Sequence, residues 1–459
     1  MKNQLDDYYD FLKKKSQLGV ASGFNPTFLP ATLFDFQKSL VTWAIKTGRA
    51  AIFADCGMGK TLMQLVWAQN VVEHTNKPVL ILSPLSVSLQ TKDEADKFNI
   101  QASRSSDGKF NGANIVLTNY ERLHNFNHSD FAGVVCDESS CIKNFDGARK
   151  SEITEFMKKV KYRLLCTATA APNDHIEFGT SSEALGYIGY MDMLSTFFKN
   201  DEDNLHPAFI GTKWRFKPHA ENRFWRWMTS WARACRKPSD LGFEDKNFIL
   251  PSLNIKEAWC KGVPLDGFLF ALPAKGLNEQ RENTKKTVEE RCGIASDLLN
   301  NNESGIAWCN LNAESKLMTK MVNGAVEVSG EDCDDSKDEK FMAFKKGHIR
   351  ILVSKPKIAA FGMNFQHCSD MTYFPTHSFE QYYQAVRRCW RYGQKNEVNV
   401  TMVASESQQG IFDNLKRKAL ACDNMFTLLV KHMNDAIKIN RITTFENKET
   451  VPSWLLKKN

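Results

Sequence analysis

Residues 54–61 read Ala-Asp-Cys-Gly-Met-Gly-Lys-Thr. Two glycines that tolerate positive φ, a lysine and a hydroxyl are the parts that a phosphate group needs. Backbone N–H groups around Gly57, Met58 and Gly59 can curl about the anion. Lys60 can reach a terminal phosphate, and the Thr61 hydroxyl can ligate a divalent cation. The flanks suit this use: the apolar run IFAD precedes the loop and the helix-forming TLMQLVWAQN follows it. Ala54 stands where the commonest loop of this kind has glycine, a change that a negative φ tolerates.

A second chemical group lies about eighty residues on, in GVVCDESSCIKN (133–144). An apolar strand delivers Asp137 and Glu138 at its C-terminal end, where open α/β sheets place ligands. Asp137 is suited to hold Mg²⁺ through water, and Glu138 to orient and deprotonate an attacking water. A third group is QAVRRCWRYGQ (384–394). On a helix Arg388 and Arg391 lie three apart and share a face. Like charges held that close repel, so a fold that orders them needs an anion between them.

These groups must be positioned by sheets. Apolar runs separated by helical-length segments occur at residues 50–55, 78–84, 114–120, 133–138 and 162–169. The pattern returns at 304–310, 324–330, 349–356, 371–375 and 398–404. Near-continuous apolar runs of this length predict strands buried on both faces of parallel sheets, joined by crossover helices. The expected fold is α/β: two parallel-sheet domains in tandem. We expect an N-terminal extension at 1–29, a first lobe at 30–235 with a helical insertion near 181–235, and a proline-bearing linker at 236–261. A second lobe at 262–425 and a C-terminal helix and tail at 426–459 complete the chain. In the insertion, Phe224, Trp227, Met228 and Trp231 form one apolar stripe at helical spacing, expected as core. Arg223, Arg226 and Arg233 cluster beside it, as a solvated face or a phosphate-tracking face. The segment IFDNLKRKALACDNMFTLLVKHM reads as an amphipathic helix that packs back on the two lobes or recruits a partner, packing being the reading we favour.

Hydrophobic residues make up 42% and charged residues 25% of 459, which excludes global disorder. A net charge of +7 permits nucleic-acid binding without demanding it. The twelve cysteines include no C-x-x-C pair, so reduced buried thiols in a cytoplasmic setting are expected rather than zinc or disulfides. The first fifteen residues lack the apolar stretch of a signal peptide, and no run of apolar residues is long enough to span a membrane.

With these motifs in place, residues 30–410 resemble the superfamily 2 helicases, and among them the Swi/Snf-type DNA translocases. DESSCIKN resembles the Swi/Snf form of the DExx box, and LFDFQKSLVTW (33–43) the adenine-reading Q motif, which implies that Gln37 meets the base. ILSPLSVSLQ (81–90) and VLTNYERL (116–123) resemble strand-contacting motifs. TATAAPND (167–174) stands at the coupling motif, which implies coupling roles for Thr167 and Thr169. Gly362-Met363-Asn364 matches the family's Gly-x-Asn, and Gln384 opens the Gln-Ala-x-x-Arg-x-x-Arg-x-Gly-Gln match. Gly362, Asn364 and Gln384 are thereby implied in coupling. Small proteins of this kind are similar to helicases carried by bacteriophages and mobile elements. The chain departs from the family at Ala170-Ala171 and in lacking Trp-Asn-Pro before the arginine motif.

The resemblance implies two RecA-like lobes in tandem with an ATP cleft between them and a small helical insertion, and ATP and Mg²⁺ as cofactors. Gln37, Gly57, Met58, Gly59, Lys60 and Thr61 would bind ATP, with Thr61 and Asp137 at the metal. Glu138, Arg388 and Arg391 would be catalytic, the two arginines swinging in from the second lobe to the γ-phosphate. Arg387 falls at a variable position and reads as a surface or DNA contact. The expected partner is DNA, duplex or single-stranded, bound without sequence preference. An RNA helicase of the DEAD-box kind and a nucleotide-switched scaffold are the alternatives.

Overall fold

The computed structural model describes residues 21–84, 87–110, 112–143, 147–171, 174–200, 214–262, 277–359 and 363–442. Gly362, most of the N-terminal extension and residues 443–459 lie outside the described residues.

The first lobe opens with α1 (Asp35–Thr47), β1 (Arg49–Ala54), α2 (Lys60–Thr75), β2 (Val79–Ser83), α3 (Val87–Lys97), β3 (Ala102–Arg104) and β4 (Ile115–Asn119). It continues through β5 (Gly133–Asp137), α4 (Ala148–Lys159), β6 (Tyr162–Cys166), α5 (Phe178–Leu185) and α6 (Tyr190–Phe197). A short hairpin of β7 (Phe198–Asn200) and β8 (Trp214–Phe216), then α7 (Glu221–Trp231) and β9 (Ala232–Cys235), close it. Seven strands form one parallel sheet in the order β3-β4-β2-β5-β6-β1-β9.

Each apolar run became a strand because both faces of it are covered. Along β1, Ile52 packs into one core and Phe53 into the other; along β2, Ile81 and Leu82 divide the same way. Four consecutive buried residues therefore show no alternation in sequence. The α7 stripe is core: Phe224, Trp227, Met228 and Trp231 are buried, together with Trp225. The neighbouring arginines do not act as one face. The helix ends at Trp231, so Arg233 belongs to β9, pairs beside Ile52, and buries its guanidinium 5.0 Å from the Trp43 ring. Arg223 and Arg226 are exposed.

The second lobe comprises β10 (Leu253–Cys260), α8 (Leu277–Lys286), α9 (Val288–Asn300), β11 (Gly305–Trp308), α10 (Asn312–Met321), β12 (Ala325–Val328) and α11 (Asp334–Lys345). It ends with β13 (Ile351–Ser354), α12 (Pro356–Ala359), β14 (Asp370–Tyr373), α13 (Phe379–Val386), β15 (Val398–Ser405) and α14 (Gln409–Ile442). Its sheet is also parallel, in the order β10-β15-β14-β11-β13-β12. The strand β10 lies within the segment read as a linker. It is an edge strand with Lys256 and Glu257 exposed, so it pairs along all eight of its residues without an apolar run. A buried Arg291–Glu314 pair at 2.6 Å anchors α9 to α10.

The helix α14 ignores the boundary expected at 425. Ile411, Phe412 and Leu415 enter the second-lobe core, while Met425, Phe426 and Leu429 enter the first-lobe core beside α7. Arg236 donates to Asp423 and, at 3.0 Å, to the Thr427 hydroxyl; Asn434 donates to the Asp240 carbonyl at 3.1 Å. The amphipathic segment therefore packs against both lobes. All twelve cysteines are free thiols, most of them buried. Among the described residues no helix is long and apolar enough to cross a membrane.

Candidate active site

The strand order puts β5, β6 and β1 side by side, so the turns after them share one edge. The loop after β1 is a phosphate cradle. Gly57 and Gly59 adopt φ of 88° and 77°, and α2 starts at Lys60 with its N-terminus facing the loop. Lys60 Nζ donates to the carbonyls of Ala54 at 2.8 Å and Asp55 at 3.2 Å, which keeps the ammonium folded over the turn. Gln37 braces the loop: its Nε2 donates to the Met58 carbonyl at 2.9 Å, and its Oε1 accepts from the Phe34 N–H at 3.0 Å. In this structure both ends of the Gln37 amide are thus engaged by the chain itself.

Asp137 ends β5 and Glu138 follows with φ of 57°, a left-handed conformation that a non-glycine residue holds only when its surroundings impose it. Those surroundings are visible. Thr167, just past β6, donates to Glu138 Oε1 at 2.6 Å, and Ser140 donates to the same oxygen at 3.2 Å. The Thr169 N–H donates to the Thr167 hydroxyl at 3.0 Å. Asp137 Oδ1 accepts from Gln64 Nε2 at 2.7 Å and from the Glu138 N–H at 3.1 Å. Burial raises the pKa of Asp137, with Gln64 and then Lys60 opposing it; burial raises that of Glu138, with Lys60 and Thr167 opposing it.

The second lobe supplies the guanidinium groups. Arg388 is fixed by donating to the carbonyls of Gln384 and Met363, each at 3.0 Å, and its Nη2 lies 3.8 Å from Cys56 Sγ in the phosphate loop. Arg391 donates to Asn364 Oδ1, while its Nε is buried without a partner. Burial first, then Arg388, pushes its pKa down to about 10. Both polar atoms of the Gln384 amide are likewise buried and unpartnered. Of the two, only Arg391 lines the cavity between the lobes, where a buried open donor marks a place for a ligand's polar atom.

The phosphate loop, the two acids and the two arginines converge on a cavity of about 270 Å³ between the lobes, whereas Gln37, Met58, Thr167, Thr169 and Gln384 do not line it. Gly57, Gly59, Lys60, Thr61, Asp137 and Glu138 line it from one side, and Asn364, Arg388 and Arg391 from the other. Thr61 and Asp137 bring hard oxygen ligands, and among the described residues no group of three or more metal-ligating side chains occurs. Two protein oxygens suit Mg²⁺, which keeps most of its shell for water and phosphate.

Sequence reasoning missed several participants. Gln64 lies one turn beyond Lys60 on α2, a spacing that did carry the signal. Gln90 and Glu94, one turn apart on α3, also line the cavity, as does Tyr392. Burial raises the Glu94 pKa against the pull of Gln90 and Arg391. The reading of Arg387 as a surface residue is corrected: it is 3% exposed and ion-paired with Asp55 of the phosphate loop. Nothing local in the sequence links two residues so far apart.

Comparison with known proteins agrees with this geometry. Residues 34–177 match the family model for the DEAD/DEAH box helicase. Over 180 residues the chain is 26% identical to the DNA annealing helicase and endonuclease ZRANB3 of Mus musculus, covering 35% of this chain and 17% of that protein. The Homo sapiens protein of the same name is 24% identical over 201 residues, covering 40% and 17%. The chain thus spans about 17% of the length of these relatives. A solved structure, the Sulfolobus solfataricus SWI2/SNF2 ATPase core in complex with dsDNA, is 17% identical with a TM-score of 0.42, covering 90% of this chain and 96% of that one. The helicase-box match runs through the first lobe, where the chain is similar to the DEAD/DEAH box helicases, and the arginine motif completes the cleft from the second lobe.

Proposed function

We propose that this protein is an ATP-dependent DNA translocase. The observation that carries the reading is the shared cavity: phosphate cradle and acids from one lobe, and from the other two arginines, one of them with a buried N–H left unsatisfied. Lys60 and the loop N–H groups bind the triphosphate. Glu138 takes a proton from a water, whose oxygen attacks the γ-phosphorus as the bond to the β-phosphate oxygen breaks and ADP leaves. Arg388 and Arg391 meet the charge that develops on the transferring group. Thr61 and Asp137 would hold Mg²⁺, which would supply charge neutralisation to the phosphates. Thr167 ties Glu138 to the motif after β6, which supports a role for Thr167 and Thr169 in passing the hydrolytic state to the nucleic-acid face; Asn364 and Gln384 serve the same purpose from the second lobe, and we extend that role to Gly362.

Because ATP touches both lobes, its binding favours closure and its hydrolysis removes the bridge. Two lobes that grip one strand unequally in the two states then advance along it. The grip goes to phosphates, so it is salt-sensitive and nearly sequence-independent. The curated relatives are DNA annealing helicases by name, which supports DNA over RNA.

The test compares ATP turnover with duplex DNA, single-stranded DNA and RNA, alongside triplex displacement and duplex unwinding. Stimulation by DNA with ATP-dependent triplex displacement is expected. Stimulation by RNA alone, or by no nucleic acid, overturns the reading.

A further inference from the structure

The arginine turn crowds three guanidinium groups, and the chain itself supplies a full counter-ion to one of them. Arg387 Nε donates to Asp55 Oδ1 at 3.2 Å and its Nη2 donates to Oδ2. The Tyr383 hydroxyl and, at 2.6 Å, the Cys56 N–H also donate to Oδ1. Side-chain exposure is 4% for Arg387 and 8% for Asp55, so this is a buried ion pair joining the two lobes. The third corner of the guanidinium, Nη1, donates at 3.1 Å to the carbonyl of Trp390, the residue before Arg391. One side chain thus ties the phosphate loop to the turn that carries Arg391. Burial, then Arg391 and Arg388, work against its charge, and the Asp55 carboxylate holds it.

The contact has a built face. Glu380, Tyr383 and Arg387 follow i, i+3, i+7 spacing along α13 and the turn after it. Glu380 pairs with Lys143, beside the acidic motif of the first lobe. Asp55 is bonded through its own N–H to the Cys235 carbonyl of β9 at 2.9 Å, so the anchor is rigid.

We propose that Arg387 is a positioning residue: with Asp55 and Tyr383 it forms an inter-lobe latch that sets the arginine turn against the phosphate loop and aims Arg388 and Arg391 at the γ-phosphate. The proposal rests on the ATPase reading above. Every bond of the latch is made within the chain itself, which lowers what closure must reorganise.

The experiment uses the full chain as wild type, Arg387→Met, Asp55→Asn and the double variant. Melting temperature, DNA-stimulated kcat and KM for ATP, and the nucleotide-free radius of gyration from X-ray scattering are read on each. Arg387→Met leaves a buried carboxylate unpaired and is expected to lower kcat by about tenfold or more, with KM moved far less. Its radius of gyration rises above wild type. The double variant, which removes both charges, turns over no more slowly than the worse single variant. A folded Arg387→Met protein with wild-type kcat and unchanged dimensions overturns the latch, as does a double variant in which the two losses multiply. A lower melting temperature with kcat per folded molecule unchanged also overturns it. If wild type hydrolyses no ATP with any nucleic acid, the ATPase reading fails, and scattering alone decides the latch: equal dimensions for wild type and Arg387→Met reject it, expansion of the variant supports it.

Discussion

Gly57→Ala separates closure of the cleft from binding of nucleotide. A Cβ at residue 57 would stand 2.8 Å from the backbone nitrogen of Tyr392 and 3.1 Å from its Cβ, both in the second lobe. Backbone cannot swing aside as a side-chain tip can, so the lobes must part slightly. The substitution also places alanine at φ of 88°, a strain of roughly 1–2 kcal/mol, but that strain is present whether the cleft is open or closed. Only the overlap discriminates, and overpacking of this sort costs about 1–3 kcal/mol. At about 1.4 kcal/mol per factor of ten, kcat should fall roughly 5- to 150-fold beyond any loss in nucleotide affinity. Gly59→Ala is the control. Its Cβ would lie 2.3 Å from Gln37 Nε2, inside the first lobe, so it damages the cradle itself and weakens binding first. The assay pairs titration of a fluorescent nucleotide with phosphate release in the presence of DNA. Wild-type turnover by Gly57→Ala, or equal losses in binding and turnover, refutes the argument.

Other outcomes follow from the same geometry. Glu138→Gln should bind ATP yet lose hydrolysis by about 10²–10⁴, measured by nucleotide titration against phosphate release. Arg388→Ala and Arg391→Ala should each lower DNA-stimulated kcat steeply, toward the 10³–10⁵ range typical of such groups, with smaller changes in nucleotide affinity. Thr167→Val removes a 2.6 Å bond to Glu138 without changing side-chain shape, and should lower kcat while KM stays near wild type. Arg291→Met should destabilise the second lobe by about 3–5 kcal/mol in denaturant unfolding, because it strands the buried Glu314 carboxylate; adding Glu314→Gln should recover part of the loss.

Much of the fold was legible because parallel strands buried on both faces announce themselves as short apolar runs. All ten such runs are strands of the two sheets. What escaped were elements lacking that signature. β10 lies at a sheet edge with three consecutive exposed residues, Ile255 to Glu257, at its centre, and β9 is four residues following directly on a tryptophan-rich helix. At the cleft, Lys60, Thr61, Asp137 and Glu138 were legible because each sits at a fixed offset from a strand end. Arg387 was not. Its partner Asp55 is 332 residues away, and only the packing of one lobe on the other decides that this arginine, rather than its neighbours, is neutralised by the chain. The left-handed backbone of Glu138 was equally hidden, since its cause is a threonine after a different strand.

The helix α14 has a mechanical consequence. Its 34 residues make a rod of about 51 Å at 1.5 Å per residue. Ile411, Phe412 and Leu415 are embedded in one lobe and Met425, Phe426 and Leu429 in the other, with Cys422 touching both cores between them. An α-helix resists stretching far more than it resists twisting or slight curvature, so the lobes cannot draw straight apart without unseating Phe412 or Phe426. Relative motion is steered into a swing about the rod, a pivot whose axis is set by one continuous stretch of backbone.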